Sequence, residues 1–148
     1  MKPTDRIFVA LDTTELDHAA YLANQLVGMV GGVKIGKEFL TVHGLEGVRK
    51  IAKCGMPIFL DTKFHDIPNT VASAIRATLP LSPFVINIHA SGGSTMMRAA
   101  QRAVEEAGDN RPLLIAVTVL TSMKDEDLAE IGMQGPTEDR VLALALLT

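Results

Sequence analysis

Five apolar runs, at residues 6–11, 31–35, 58–60, 84–89 and 113–119, each give way to a stretch with helical spacing, and polar side chains gather where the runs end. Those side chains are Asp12, Lys34, Asp61, Lys63, His89 and Thr121. Strand-like runs alternating with helical stretches predict βαβ units and a parallel sheet. The runs are nearly continuous in apolar character, as strands buried on both faces require. A row of polar residues at strand C-termini is the ligand edge of two architectures, the (β/α)8 barrel and the open doubly wound sheet. No GxGxxG or P-loop glycine pattern opens any of the helices, which weakens the nucleotide-binding open sheet. The predicted fold class is therefore α/β, of the (β/α)8 TIM-barrel type.

The helical stretches carry their own punctuation. Thr13 or Thr14 is placed to cap the first, with Ala19, Leu22 and Leu26 at helical spacing behind it. Residues 37–42 and 45–54 form a second, broken at Gly44, and Gly55-Met56-Pro57 closes that unit. Residues 69–79 and 94–107 supply the next two, and residues 138–148 are again helical in character, though VLALALL is apolar all round.

With 148 residues, 47% of them hydrophobic and 21% charged, the chain fits one domain over residues 1–148 with a sizeable core. The net charge of −3 and the lack of a Lys/Arg run leave no nucleic-acid footprint. A single cysteine, Cys54, excludes an internal disulfide and suits a reducing cytoplasm. The apolar run near the N-terminus ends at Asp12, too short for a signal peptide or a membrane span.

The chemistry concentrates in residues 57–70, PIFLDTKFHDIPNT. Side chains two apart on a strand share a face, so Asp61 and Lys63 are expected together, with Asp66 in the loop beyond. Two carboxylates then bracket one ammonium. An opposite charge at roughly 4 Å favours a protonated amine, which makes the triplet a candidate proton donor. The plainer alternative is a salt bridge closing a strand end. Elsewhere His89 reads as a hydrogen-bonded structural histidine, Met96 and Met97 as packing residues, and Glu105, Glu106 and Asp125-Glu126-Asp127 as solvated helix faces. No His/Cys/carboxylate group stands at metal-ligand spacing.

The decapeptide Asp61-Thr62-Lys63-Phe64-His65-Asp66-Ile67-Pro68-Asn69-Thr70 resembles the D-x-K-x-x-D-I-P-x-T signature of the orotidine 5′-phosphate decarboxylase family. Supporting matches are VALD ending at Asp12, VKIG around Lys34, HASGG from His89 and VTVLTS ending at Ser122. The resemblance is to the amino-terminal part of that family. It implies cofactor-free decarboxylation of orotidine 5′-phosphate to UMP and carbon dioxide in pyrimidine biosynthesis, in a cytoplasmic homodimer. It gives Lys63 the protonation of pyrimidine C6, sets Asp61 against the substrate carboxylate, and assigns Lys34 and Asp12 to the ribose and the charge network. Asp66 would enter that network from the neighbouring subunit, with Ile67 and Thr70 also crossing the interface, and Thr121 would touch the nucleotide. By the same motif Thr62, Phe64, His65, Pro68 and Asn69 belong to the substrate-binding segment. Hexulose-phosphate synthases and ketogulonate-phosphate decarboxylases resemble the chain in the D-x-K-x-x-D motif, but they use Mg²⁺ and place a glutamate where this chain has Lys34. A cation there repels Mg²⁺.

A complete barrel takes about 250 residues and rarely fewer than about 200. Five strands in 148 residues are thus expected to make a barrel interrupted after about five βα units. The strands expected to follow carry the family's phosphate loops, whose glutamine and arginine have no counterpart here. The alternative function is accordingly an impaired copy acting as no more than a subunit partner.

Overall fold

The computed structural model describes residues 2–148, and in it the five apolar runs pair into one parallel sheet of order β1-β2-β3-β4-β5. The strands are β1 (Phe8–Ala10), β2 (Gly32–Gly36), β3 (Ile58–Phe64), β4 (Val85–His89) and β5 (Leu113–Val117). Between them run α1 (Leu16–Gln25), α2 (Lys37–Ala52), α3 (Pro68–Thr78) and α4 (Gly93–Glu105), and after β5 come α5 (Asp125–Glu130) and α6 (Thr137–Leu147). Each strand pairs with its neighbour in sequence, so right-handed crossovers place the connecting helices on one side of the sheet. A doubly wound sheet reverses its strand order partway; this sheet never does. The order is that of a barrel wall.

Strand periodicity then divides the two faces. Val33, Ile35, Ile58, Leu60, Ile86 and Ile88 are each at most 3% exposed and cluster with Ala19, Phe39, Val48, Ile51, Ile75, Met96 and Ala100 of the helices. The intervening residues face the other way. In register across the sheet they run Ala10, Lys34, Phe59, Val85 and Leu113, with Asp61, Asn87 and His89 further along their strands. The sheet thus buries aliphatic side chains under its helices and turns charged and amide groups to the barrel-interior face. At the N-terminal end Phe8 stacks on Phe84 at 5.8 Å between ring centroids and meets Phe59 edge-on at 6.3 Å. Gly32 leaves room for this, since a Cβ there would stand 2.4 Å from the Phe8 ring.

Several boundaries differ from expectation, each for a local reason. The first helix starts at Leu16 rather than at the threonines, because Thr13 Oγ1 accepts the Glu15 N–H at 3.1 Å and holds a turn ahead of it. The third strand runs on to Phe64, four residues past its apolar part. The fifth stops at Val117, short of residue 119. The break in α2 falls at Gly44, as its sequence predicts, with φ 58° and ψ −163°. At the sheet edges β1 and β5 are each paired on one side, and on β5 Leu113 and Ile115 are 56% and 44% exposed. Leu142, Leu146 and Leu147 of α6 are exposed as well. No helix among the described residues is long and apolar enough to cross a membrane.

Candidate active site

The site begins with an irregularity in β3. Its pairing with β4 is regular at Leu60↔Ile86 but resumes only at Phe64↔Ile88, so four residues of β3 advance against two of β4. The slack is taken up at Lys63, whose φ of 48° lies in the left-handed region that residues with a side chain rarely enter. Such a conformation costs on the order of 1–3 kcal/mol and persists only where surrounding bonds enforce it. Here Asn87 enforces it: its Oδ1 accepts the Lys63 backbone N–H at 2.7 Å, and its main-chain carbonyl accepts Thr62 Oγ1 at 3.2 Å.

Three charges meet beside the bulge. Asp61 Oδ2 accepts from Lys34 Nζ at 3.0 Å, and Oδ1 accepts from Lys63 Nζ and from Asn87 Nδ2, the latter at 2.7 Å. The Asp61 side chain is only 12% exposed. Burial opposes its ionisation, but the hydrogen bonds from Lys63, Asn87 and Lys34 prevail and bring its pKa down to about 2. A carboxylate that stays ionised between two ammonium groups leaves the face net positive, fit to receive an anion and to hold a proton ready.

The bracketing expected from sequence is inverted within the chain. One carboxylate stands between two ammoniums, rather than two carboxylates around one. Asp66 is exposed, and its Oδ1 accepts the Ile67 N–H at 2.6 Å. The reason is that β3 ends at Phe64 and the following residues lead away into α3, which opens at Pro68. Along this rim His65, Asp66, Ile67, Asn69 and Thr70 are exposed, Ile67 by 67%, while Phe64 and Pro68 are half-buried and Thr62 is buried. Asp12 and Thr121 are exposed just past the C-terminal ends of β1 and β5. They share the edge with the Lys34–Asp61–Lys63 trio but lie outside its hydrogen bonds.

His89 lies at the end of β4 with its ring 5.4 Å from that of His65. Among the described residues it packs beside that ring and makes none of the side-chain hydrogen bonds expected of it. Burial, then the charges of His65, Lys37 and Lys63, push its pKa below the usual histidine value, so the imidazole is neutral at neutral pH. Two groups escaped the sequence pattern. The one signal for Asn87 is that it is the single amide in the apolar run FVINIH, where a buried amide must find partners. His43 carried no such signal; its Nε2 reaches Thr14 O at 2.6 Å and ties α2 to the loop after Asp12.

A parallel sheet in sequential order, with an ionic trio at the C-terminal ends of its strands, defines a (β/α)-barrel protein with its site on the usual face of that fold. Residues 5–148 match the profile of the Orotidine 5'-phosphate decarboxylase / HUMPS family, and the chain belongs to that family. It is 50% identical over 147 residues to the orotidine 5'-phosphate decarboxylase of Rhodospirillum rubrum, a match covering 96% of this chain and 60% of the relative. With that of Tolumonas auensis it shares 47% identity over 143 residues, covering 97% and 62%. The chain therefore spans about three fifths of the length of the curated relatives it matches. Among solved structures, the orotidine 5'-phosphate decarboxylase of Lactobacillus acidophilus superposes with a TM-score of 0.86 at 35% identity, covering 94% of this chain and 64% of that one. An uncharacterized conserved protein of Geobacillus kaustophilus does so at 0.88 and 34%, covering 95% and 67%.

Proposed function

We propose that the five βα units carry the proton-delivering part of an orotidine 5′-phosphate decarboxylase site. The observation that carries this is the Asp61 carboxylate held between Lys34 and Lys63 on a bulged strand. With the pyrimidine C6 beside Lys63, the C6–carboxylate bond breaks heterolytically and its electron pair stays on C6. No neighbouring carbonyl can spread that charge, so a fixed ammonium aimed at C6 lowers the barrier most. The Lys63 proton then passes to C6 to give UMP, carbon dioxide departs, and solvent reprotonates the amine. Asp61, ionised and facing the substrate carboxylate, adds a smaller ground-state repulsion.

Lys34 and Asp12 serve the ribose, and Thr121 meets the nucleotide from the edge of β5. The exposed rim of Asp66, Ile67 and Thr70 is turned toward a second subunit, so the working form is a homodimer with shared sites, acting in the cytoplasm in pyrimidine biosynthesis. The Mg²⁺-dependent reaction of the hexulose-phosphate group is disfavoured by Lys34, whose ammonium already occupies one Asp61 oxygen and would repel a divalent cation.

The test is to prolong the chain to the full length of its relatives and offer it orotidine 5′-phosphate and a hexulose phosphate separately, with EDTA and with Mg²⁺. UMP formation indifferent to both additions is expected. Turnover of the sugar phosphate alone, lost with EDTA and restored by Mg²⁺, would overturn the assignment.

A further inference from the structure

Asn87 is 2% exposed in the middle of an apolar strand, and its polar groups hold three successive residues of β3. The orientation of its amide is fixed by chemistry. A backbone N–H can only donate, so Oδ1 must face Lys63; an ionised carboxylate can only accept, so Nδ2 must face Asp61. Flipping the amide would break both bonds at once. We propose that Asn87 is a positioning residue, which sets where the Lys63 ammonium stands by holding its backbone left-handed and its ion-pair partner Asp61 in one rigid frame.

The geometry gives each bond a separate task. The bond to the Lys63 N–H satisfies the group that the bulge removes from the ladder, and without it the left-handed backbone loses its main support. The bond to Asp61 Oδ1 goes to the same oxygen that Lys63 Nζ uses. Asp61 is thereby prevented from turning to follow the ammonium, and Lys63 keeps a fixed direction instead of moving with a swinging partner. A purely space-filling residue would do neither. That the proton so placed is the one delivered to C6 rests on the decarboxylase assignment; the placement itself does not.

The test reads position without turnover, so it stands or falls independently of that assignment. In the 148-residue chain with labelled aspartate carboxyl carbons, the Asp61 titration and the intraresidue HN–Hα NOE of Lys63 are followed by NMR in the unmodified protein, in Asn87→Asp and in Asn87→Leu. Asn87→Asp keeps an acceptor for Lys63 but swaps the donor facing Asp61 for a carboxylate. The Asp61 midpoint should rise from about 2, while the strong NOE of a left-handed Lys63 persists. Asn87→Leu should lose the NOE as well. An unmoved Asp61 midpoint in Asn87→Asp would overturn the proposal even if Asn87→Leu does not fold, and so would a weak Lys63 NOE in the unmodified protein.

Discussion

Lys34 on β2 donates to Asp61 on β3 at 3.0 Å, although its register partner on that strand is Phe59, two residues earlier. The lysine side chain therefore runs up the sheet toward the strand C-termini. It binds one oxygen of a carboxylate whose other oxygen is held by Lys63 and Asn87. Both oxygens accept hydrogen bonds, three in all, and these hold the Asp61 carboxylate in its ionised form.

That lock should be visible in stability. Asp61 titrates at about 2 when folded, against an ordinary 3.8, so its contribution is fully present above pH 3.8 and is lost as pH falls through about 2. The shift is worth about 2 kcal/mol. Denaturant unfolding across this range should show the loss in the native protein and a flatter profile in Asp61→Asn. Parallel profiles would mean that the trio adds nothing to folding.

His89 should show the same sign at higher pH. Its folded pKa is lowered by burial first, then by the His65, Lys37 and Lys63 charges, so its contribution is complete above the ordinary value of 6.5 and fades as pH falls through the lower folded one. NMR titration should place the His89 midpoint below 6.5, and His65→Ala should raise it by removing both cover and charge. A midpoint that does not move would separate the two rings electrostatically.

Much of this was legible in the chain itself. Alternating apolar runs and helical stretches disclosed the parallel sheet, Gly44 disclosed the break in α2, and the polar run ends fall along one edge of that sheet. The bulge was not legible, because the group that stabilises it, Asn87, lies 24 residues beyond Lys63 on another strand. Period-two reasoning correctly paired Asp61 with Lys63, yet gave no hint that Lys63 is left-handed. Asp66 was expected in the loop beyond, as the second carboxylate around Lys63, whereas the turn into α3 carries it outward. Local pattern foresaw where polar side chains gather, and long-range bonds decided how they face.

The outward rim makes a prediction about assembly. In the chain prolonged to the length of its relatives, Asp66→Asn and Lys63→Ala subunits should each be inactive alone. Mixed, they should recover part of the activity, since one site of each heterodimer then draws an intact residue from each chain. No recovery in heterodimers verified by mass spectrometry would mean that each subunit builds its own site.

Length carries another. The 148 residues by themselves leave β5 paired on one side and span about three fifths of their relatives. Binding energy from a non-reacting phosphate holds the ring against the reacting group, so its loss depresses turnover as well as affinity. Assayed side by side, the 148-residue chain should fall orders of magnitude below the prolonged one in kcat/KM. Equal values would make the additional length dispensable for chemistry.

If Lys63 gives its proton to C6, removing its ammonium must stop the reaction and spare the binding. In the prolonged chain, Lys63→Ala should abolish UMP formation from orotidine 5′-phosphate while UMP itself still binds within about tenfold of the unmodified affinity, because the lost interaction forms mainly in the transition state. Turnover close to that of the unmodified protein would rule Lys63 out as the proton donor.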